Sequence, residues 1–182
     1  MVGLEVQKVR LLLVGAGNVG RRFLELLVRK EGTLRRRLGL ELMLVGVADT
    51  SGAALCPSGL DPQQLVDLKS GGQSVAAHPR WGQPGLSALE MVQTAGADLL
   101  LEASPGNMVD GQPGLGCIET AMRRGMHVVT ANKAPLVLAF PRLLDLAAAL
   151  GVKLRYDATV AGGLPAVNLG QRNPSQTMSC FR

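Results

Sequence analysis

Apolar and polar positions along the chain alternate between two kinds of segment. Short, almost continuously apolar runs are typical of strands buried on both faces, and they are separated by segments with apolar residues at helical spacing. The predicted strands are Lys8–Val14, Leu42–Ala48, Ala97–Ala103, His127–Thr130 and Val152–Asp157. The predicted helices are Asn18–Lys30, Pro62–Lys69, Leu86–Thr94, Leu115–Arg124 and Pro141–Leu150. Because strands that alternate with helices pair in parallel through right-handed crossovers, we predict an α/β fold with a doubly wound, mostly parallel sheet.

The connections between these elements differ in length and character. Gly32 is expected to end the first helix, and the basic stretch Gly32–Gly39 then lengthens the link to the second strand. Residues 51–83 are rich in Gly, Pro, Ser and Gln, so we predict an irregular excursion over the surface that contains one short helix. Residues 173–182 show no periodic apolar pattern and are expected to form an irregular tail.

A glycine-rich turn joins the first predicted strand to the first helix. The turn has the GxGxxG pattern and consists of Gly15, Ala16, Gly17, Asn18, Val19 and Gly20. In such a turn the first glycine permits the tight bend, the second lets the backbone approach a pyrophosphate, and the third allows close helix packing. The helix N-terminus then offers free N–H groups and a positive dipole end to phosphate. Residues 1–160 are therefore predicted to form a Rossmann-type domain that binds a dinucleotide.

Asp49 ends the second predicted strand, where a carboxylate can accept hydrogen bonds from ribose hydroxyls. It follows Gly20 by 29 residues, more than the usual interval of about 20, because the basic stretch lengthens the connection. An aspartate at this position favours NAD. Arg21, or the run Arg35–Arg37, could instead neutralise the 2′-phosphate of NADP, so the choice of cofactor stays open. The structural alternative is an exposed aspartate that caps a turn.

Ligands of open parallel sheets bind outside the carboxyl ends of the strands. The predicted ends carry the glycine-rich turn, Asp49, Ser104, Asn132 with Lys133, and Asp157 with Thr159. If the sheet is parallel, these residues converge. Lys133 would then lie near the nicotinamide, where an ammonium can hydrogen-bond a substrate oxygen and supply a proton during hydride transfer. The alternatives are a surface lysine near a helix start and, for Asn132, a helix N-cap.

Composition and charge limit the classes of protein that fit the sequence. With 182 residues, of which 47% are hydrophobic and 18% charged, the chain suits one globular domain and a fragment of a second. The net charge of +5 is concentrated on and just after the first helix, where it is typical of a solvated helix face. Aromatic residues make up 3%, too few to stack on bases between the arginines, so nucleic-acid binding is not expected.

The cysteines and histidines predict neither a disulfide framework nor a transition-metal site. Cys56, Cys117 and Cys180 are an odd set without close spacing, and His78 and His127 lack cysteines or carboxylates at ligand spacing. A reducing compartment is therefore expected. The N-terminus lacks a basic region followed by an apolar core, and no apolar run reaches about 18 residues. We expect a soluble, cytoplasmic protein without membrane contacts.

Three segments at the predicted strand ends carry specific motifs. They are Leu-Glu-Ala-Ser-Pro-Gly-Asn at Leu101–Asn107, Thr-Ala-Asn-Lys at Thr130–Lys133, and Tyr-Asp-Ala-Thr-Val-Ala-Gly-Gly-Leu-Pro at Tyr156–Pro165. Together these motifs closely resemble the nucleotide-binding domain of homoserine dehydrogenases. The resemblance extends over about residues 8–172, nearly the whole chain.

The resemblance implies reversible oxidoreduction between homoserine and aspartate semialdehyde with NAD or NADP, in the pathway to threonine and methionine. It implies that Lys133 contacts cofactor and substrate and takes part in catalysis. The same resemblance adds Ala103, Ser104, Thr130 and Asn132 to the cofactor-binding residues. It also implies a monovalent cation such as Na⁺, held largely through backbone oxygens by Asp157, Val160, Gly162 and Leu164.

The chain departs from the family pattern in two respects. Asp157 stands where the family usually has glutamate. The family also continues into a second domain, which binds substrate, forms the homodimer and supplies a second catalytic lysine, and most of that domain is absent from this sequence. Residues 161–172 would be the start of that domain.

We therefore expect a truncated form that binds NAD(P), turns over little alone, and has less reason to dimerise than its relatives. A non-catalytic NAD(P)-binding module is the alternative. A third hypothesis is a different small dehydrogenase, acting on aspartate or dihydrodipicolinate, but such an enzyme would not be expected to carry Thr-Ala-Asn-Lys together with Gly-Gly-Leu-Pro.

Overall fold

The structure is a computed structural model that describes residues 6–159. Its strands are β1 (Gln7–Val14), β2 (Leu40–Asp49), β3 (Gly52–Leu55), β4 (Gly82–Pro84), β5 (Leu99–Glu102), β6 (His127–Thr130) and β7 (Leu154–Arg155). Its helices are α1 (Asn18–Leu38), α2 (Pro62–Ser70), α3 (Ala88–Thr94), α4 (Gly114–Arg123) and α5 (Lys133–Leu150). Two 3₁₀ turns occupy Val75–Ala77 and Asp157–Thr159.

The strands form a single sheet in the order β4-β3-β2-β1-β5-β6-β7. The five strands from β2 to β7 in that order are parallel to their neighbours, whereas β3 and β4 extend the β2 edge in antiparallel pairing. Strands β2 to β4 extend the sheet on one side of β1, and β5 to β7 extend it on the other side. The direction in which strands are added to the sheet therefore reverses at β1. This arrangement confirms the predicted α/β fold with a doubly wound, mostly parallel sheet.

Helices cover both faces of the sheet and bury one apolar cluster on each face. Leu11, Leu12 and Leu13 of β1 are fully buried, which explains why this strand is apolar on both faces. Leu11 and Leu13 pack with Leu24 and Leu27 of α1 and Leu65 of α2. Leu12 and Val14 pack in a second cluster with Met91 of α3, Ile118 of α4 and Leu143 of α5. The carboxyl ends of β1, β5 and β6 therefore open between two helical layers.

Helix α1 is longer than predicted, because it passes through Gly32 and ends at Leu38. A single glycine inside a helix costs only about 1 kcal/mol, and Arg35–Arg37 in the last turn lie favourably against the negative end of the helix dipole. The actual stop is Gly39, whose left-handed conformation at φ 61° caps the helix. The expectations that the helix ends at Gly32 and that Gly32–Gly39 belongs to the connection were wrong.

Residues 51–83 are more regular than predicted. They contain α2 as expected, but β3 and β4 also pair in the sheet, with β3 returning antiparallel beside β2 directly after Asp49. Strands of three or four residues are too short to show a period, and their pairing partners are distant in sequence.

Helix α5 begins at Lys133, eight positions before the predicted start at Pro141. The backbone is non-helical at Ala139 (φ −145°, ψ 21°), so a short first segment meets the main segment at a kink just before the proline. Strand β7 is shorter than predicted and spans Leu154–Arg155.

Some predictions lie outside the described residues. They are the cation ligands Val160, Gly162 and Leu164, the side chain of Asp157, the second domain expected at 161–172 and the tail at 173–182. Across residues 6–159, no helix is both long enough and apolar enough to cross a lipid bilayer.

Candidate functional site

The turn between β1 and α1 is packed so tightly that glycine is required at two of its positions. Gly15 has φ +93°, and a methyl group there would lie 2.5 Å from the carbonyl carbon of Ala103. A methyl group at Gly20 would overlap the Gly15 carbonyl oxygen. The first glycine therefore lets β1 pass close to the end of β5, and the third brings α1 against the turn.

Gly17 has a different role, because a side chain at this position would meet nothing within 4 Å. It is the N-cap of α1, and no side chain caps the helix. Asn18 and Val19 in the first turn are exposed. The N-terminus of α1 thus opens to the outside with its backbone N–H groups uncapped, which is the arrangement that binds phosphate in dinucleotide sites.

A cleft of about 400 Å³ begins at this turn and crosses the carboxyl edge of the sheet. One side is formed by the ends of β1 and β2 with Lys69, and the other by the segment that follows β5. The lining residues are Val14, Gly15, Ala16, Gly17, Ala48, Asp49, Thr50, Lys69, Ala88, Ser104, Pro105, Gly106, Asn107, Gln112 and Pro113. The cleft lies at the switch point between β1 and β5, where open α/β sheets bind their ligands.

Asp49 lies in the cleft, but its carboxylate is already bonded to the protein. Oδ2 accepts from the Lys69 ammonium at 2.9 Å and from the Val75 N–H at 3.0 Å. Oδ1 accepts from the Ser74 hydroxyl at 2.7 Å and from the Ser51 N–H at 3.0 Å. A ribose hydroxyl would therefore share or replace one of these donors.

These contacts also set the protonation of Asp49. Burial by itself would raise the pKa of the Asp49 carboxyl, but hydrogen bonds from Ser74 and Lys69 and from the backbone of Val75 and Ser51 lower it below its ordinary value of 3.8. Asp49 is therefore ionised at neutral pH. Lys69, with 20% of its side chain exposed, is a cation in the lining of the cleft beside it.

The run Arg35–Arg37 lies far from the cleft. Helix α1 has 21 residues and is therefore about 30 Å long, and it runs from the carboxyl end of β1 back to the start of β2. The proposed alternative in which this run neutralises a cofactor phosphate was wrong, because the helix continues where a loop was expected. Arg21 is in the first turns of α1 and lies 4.0 Å from Glu25.

The ends of β5 and β6 are joined by a buried network around Glu102, which has no exposed surface. Oε1 accepts from the Ser104 N–H at 2.9 Å, from the Ser104 hydroxyl, and from the Asn132 amide at 3.4 Å. Oε2 accepts from the Thr130 hydroxyl at 2.8 Å. The side chains of Ser104, Thr130 and Asn132 therefore converge on one carboxylate.

Cys117 of α4 lies near this network. Burial and the Glu102 carboxylate raise the pKa of the Cys117 thiol to about 12. A thiol of that kind is protonated at neutral pH, so Cys117 is not a nucleophile.

Asn132 connects the same network to the start of α5. Its Oδ1 accepts from the Ala134 N–H at 3.1 Å, which makes Asn132 the N-cap that was one of its predicted roles. Lys133 is the first residue of the helix, and its side chain is exposed. Parallel pairing of β1 with β5 and of β5 with β6 places Lys133 at the same sheet edge as Gly15.

The predicted site residues fall into two groups. Gly15, Ala16, Gly17, Asp49 and Ser104 line the cleft. Asn18, Val19, Gly20, Ala103, Thr130, Asn132 and Lys133 are at the same sheet edge but do not line it. Among residues 6–159, no group of three or more His, Cys, Asp and Glu side chains could hold a metal ion.

Sequence reasoning left three contributors out of the predicted site residues. No pattern in the sequence around Lys69 or Ser74 indicates a role in the site. Both residues reach Asp49 only because α2 and the turn that follows it pack beside the end of β2. Glu102 did give a signal, since an acidic residue directly after the apolar run Leu99–Leu101 of a buried strand must find partners.

The fold and the cleft define a class: a Rossmann-type domain with a dinucleotide site at the switch point of its sheet. Residues 15–157 match the family model described as homoserine dehydrogenase, NAD binding domain. The chain therefore belongs to the family of homoserine dehydrogenase NAD-binding domains.

Curated relatives and solved structures agree with this assignment. The chain is 31% identical over 161 residues to a homoserine dehydrogenase of Methanocaldococcus jannaschii and 33% identical over 164 residues to an NAD(+)-dependent homoserine dehydrogenase of Pseudomonas canavaninivorans. These alignments cover 88% and 90% of this chain but 47% and 46% of those proteins. The crystal structure of homoserine dehydrogenase from Thermoplasma acidophilum aligns at 30% identity with a TM-score of 0.74, covering 92% of this chain and 49% of that one. The chain thus spans about half the length of the relatives it matches.

A hyperthermophilic archaeal homoserine dehydrogenase in complex with NADPH supports the fold alone. It aligns with a TM-score of 0.76 at 23% identity, over 90% of this chain and 48% of that one.

Proposed function

We propose that this chain binds NAD or NADP in the cleft at the β1–β5 switch point and forms the cofactor-binding part of a homoserine dehydrogenase. The observation that carries the proposal is the open, uncapped N-terminus of α1 at Gly17, which lies at one end of a cleft lined by Asp49 and Ser104. The backbone N–H groups at Gly17 suit a pyrophosphate. Asp49 and Lys69 then face the adenosine half, and Ser104–Asn107 the nicotinamide half.

In the complete enzyme, a bound nicotinamide supplies hydride transfer between homoserine and aspartate semialdehyde. Lys133 is proposed to act there as the catalytic residue, with its ammonium hydrogen-bonded to the reacting oxygen so that a proton can move as the oxygen changes charge. Its exposed position at the start of α5, on the edge that carries the cleft, leaves the ammonium accessible to a substrate. The cation site at Asp157, Val160, Gly162 and Leu164 stays a prediction.

The cleft leaves both cofactors possible. A ribose 2′-hydroxyl can share the Asp49 carboxylate, as an NAD site requires. A 2′-phosphate can instead bind the Lys69 ammonium, which is paired with Asp49 and partly exposed at the same end.

The proposal is tested by titrating the purified chain with NADH and NADPH and following the fluorescence of the nicotinamide. Saturable binding of either cofactor is expected, and Gly17→Asp should weaken it by about tenfold or more, because a carboxylate would replace the anion at the helix N-terminus. Gly96→Asp is the matched control, since Gly96 is also exposed, has no positive φ, meets only Arg10 at ordinary contact distance and lies in the loop before β5. Failure of the wild-type chain to bind either cofactor would reject the proposed function.

A second candidate is a cofactor-binding module without catalysis, which is favoured by the position of Lys133 outside the lining of the cleft. Assays with homoserine and each oxidised cofactor separate the two. Turnover that Lys133→Ala abolishes supports the enzyme, whereas cofactor binding without turnover supports the module.

A further inference from the structure

Glu102 is a fully buried carboxylate that the proposed function does not use. In register it lies beside Val14 of β1 and Thr130 of β6, so it is at the centre of the edge that carries the cleft. None of the described lysines, arginines and histidines forms an ion pair with it. A buried charge without a counter-ion is costly unless hydrogen bonds satisfy both oxygens, and here only neutral donors do so.

The donors come from two different segments of the site. Ser104 follows β5 and lines the cleft, whereas Thr130 and Asn132 lead from β6 into α5. Because Glu102 accepts from both segments, it fixes the distance between the cleft wall and the start of α5. Helix α4 packs directly against the network at its first residue, Gly114. A methyl group at Gly114 would lie 2.7 Å from Asn132 Nδ2 and 3.1 Å from Glu102 Oε1.

The network also fixes the direction of the hydrogen bonds at Ser104. Its hydroxyl proton is donated to Glu102, and one lone pair receives the Asn132 amide at 3.3 Å. The oxygen can therefore only accept from a ligand, which suits the N–H of a carboxamide such as that of nicotinamide.

The same carboxylate acts on Lys133 through Asn132. The Asn132 backbone N–H donates to the Thr130 hydroxyl at 3.0 Å, and the Thr130 hydroxyl donates to Glu102. The Asn132 side chain contacts Glu102 and Ser104 through Nδ2 and caps Ala134 through Oδ1. Lys133 is the first residue of α5. The position of this first turn is thus fixed by a series of hydrogen bonds that leads from Glu102 through Thr130 and Asn132.

We propose that Glu102 is a positioning residue that takes the Ser104 hydroxyl proton, so that the Ser104 oxygen presents an acceptor lone pair to the nicotinamide end of the cofactor, and that it holds the α5 N-terminus that carries Lys133. The part of this inference that concerns nicotinamide rests on the proposed function, whereas the part that concerns contacts within the chain does not. Two measurements on the 182-residue chain therefore test it separately.

The first measurement needs no ligand and follows backbone amide hydrogen exchange in Glu102→Gln. Gln keeps the shape but removes the charge, so we expect exchange at Asn132 and Ala134 to rise about tenfold while Leu12 in β1 changes less than about twofold. Asp98→Asn is the control, because Asp98 precedes the same strand at its other end and accepts from the Arg10 N–H. Unchanged exchange at Asn132 and Ala134, or an equal rise at every amide, would overturn the proposal.

The second measurement compares NADH with ADP-ribose, which lacks the nicotinamide. Glu102→Gln should weaken NADH about tenfold and leave ADP-ribose within about twofold. Equal losses for both ligands would indicate a general structural role and overturn the proposal, as would no loss for either. If the wild-type chain binds neither ligand, the proposed function fails while hydrogen exchange still decides the role of Glu102. If Glu102→Gln does not fold, Glu102→Asp is tested by the same criteria, because it keeps the charge and withdraws the oxygens from Thr130.

Discussion

Two carboxylates end the strands on either side of β1, and their hydrogen-bonding needs are satisfied in different ways. Asp49 ends β2 and pairs with a cation, Lys69, in the lining of the cleft. Glu102 ends β5 and is held entirely by neutral donors below the surface. A ligand can exchange with the partners of Asp49, because Lys69 is partly exposed, whereas the partners of Glu102 are fixed by the fold.

This difference between the two carboxylates suggests different roles: Asp49 would help to recognise a ligand, whereas Glu102 would hold neighbouring protein groups in place. A carboxylate with an accessible cation can respond to the charge of a ligand, as choice between two cofactors requires. A carboxylate with buried neutral donors can only keep its neighbours in place, and removing it leaves those donors without partners. The following predictions test this distinction, beginning with the largest expected effect.

Truncating each carboxylate should affect stability unequally. Glu102→Ala leaves buried donors of Ser104, Thr130 and Asn132 unsatisfied, so we expect a loss of about 3 kcal/mol or more in the free energy of unfolding. Asp49→Ala should cost about 1–2 kcal/mol, because Lys69 can be rehydrated. Urea denaturation of both variants measures the difference. A loss in Asp49→Ala that equals or exceeds the loss in Glu102→Ala would contradict the comparison.

The hydroxyl donors should follow the same order. Thr130 is completely buried and both donates to Glu102 and accepts from the Asn132 N–H, so Thr130→Val should cost about 2 kcal/mol. Ser74 makes the equivalent pair of bonds, to Asp49 and from the Ala76 N–H, but is only half-buried. Ser74→Ala is therefore expected to cost about 1 kcal/mol. Equal losses by denaturation would show that burial does not separate the two networks.

Removing the cation should change cofactor preference. Lys69→Gln leaves the Asp49 charge without its partner, so we expect NADPH affinity to fall about tenfold relative to NADH affinity. Fluorescence titration of both cofactors measures the ratio, and Lys30→Gln, an exposed lysine of α1 outside the cleft, is the control. An unchanged ratio would remove Lys69 from cofactor recognition.

The smallest expected effect is a pH dependence of the free energy of unfolding that comes from Asp49. Its pKa is lower in the folded chain than its ordinary value of 3.8, so its contribution to stability is present above that value and is lost as the pH falls through the folded pKa. Between about pH 5 and about pH 3, Asp49→Asn should therefore lose less stability than the wild type, by about 1 kcal/mol or less. Identical pH profiles in thermal unfolding would contradict this assignment.

Much of the fold followed from local patterns. The strand β6 was predicted at its observed bounds, and β1 and the start of α1 within a residue, because a buried parallel strand and a glycine-rich turn each leave a signal inside a few adjacent positions. The misassigned parts were those without such a signal. Gly32 looked like a helix end but was tolerated inside α1, and β3 and β4 were too short to show a period.

By itself the sequence determined the alternation of strands and helices, the glycine-rich turn at Gly15–Gly20 and the family to which the chain belongs. Only the tertiary structure decided the partners of the two carboxylates. Asp49 meets Lys69 and Ser74 from 20 and 25 positions away, and Glu102 meets Thr130 from 28 positions away. Such contacts depend on strand register and helix packing, so no pattern of neighbouring residues contains them.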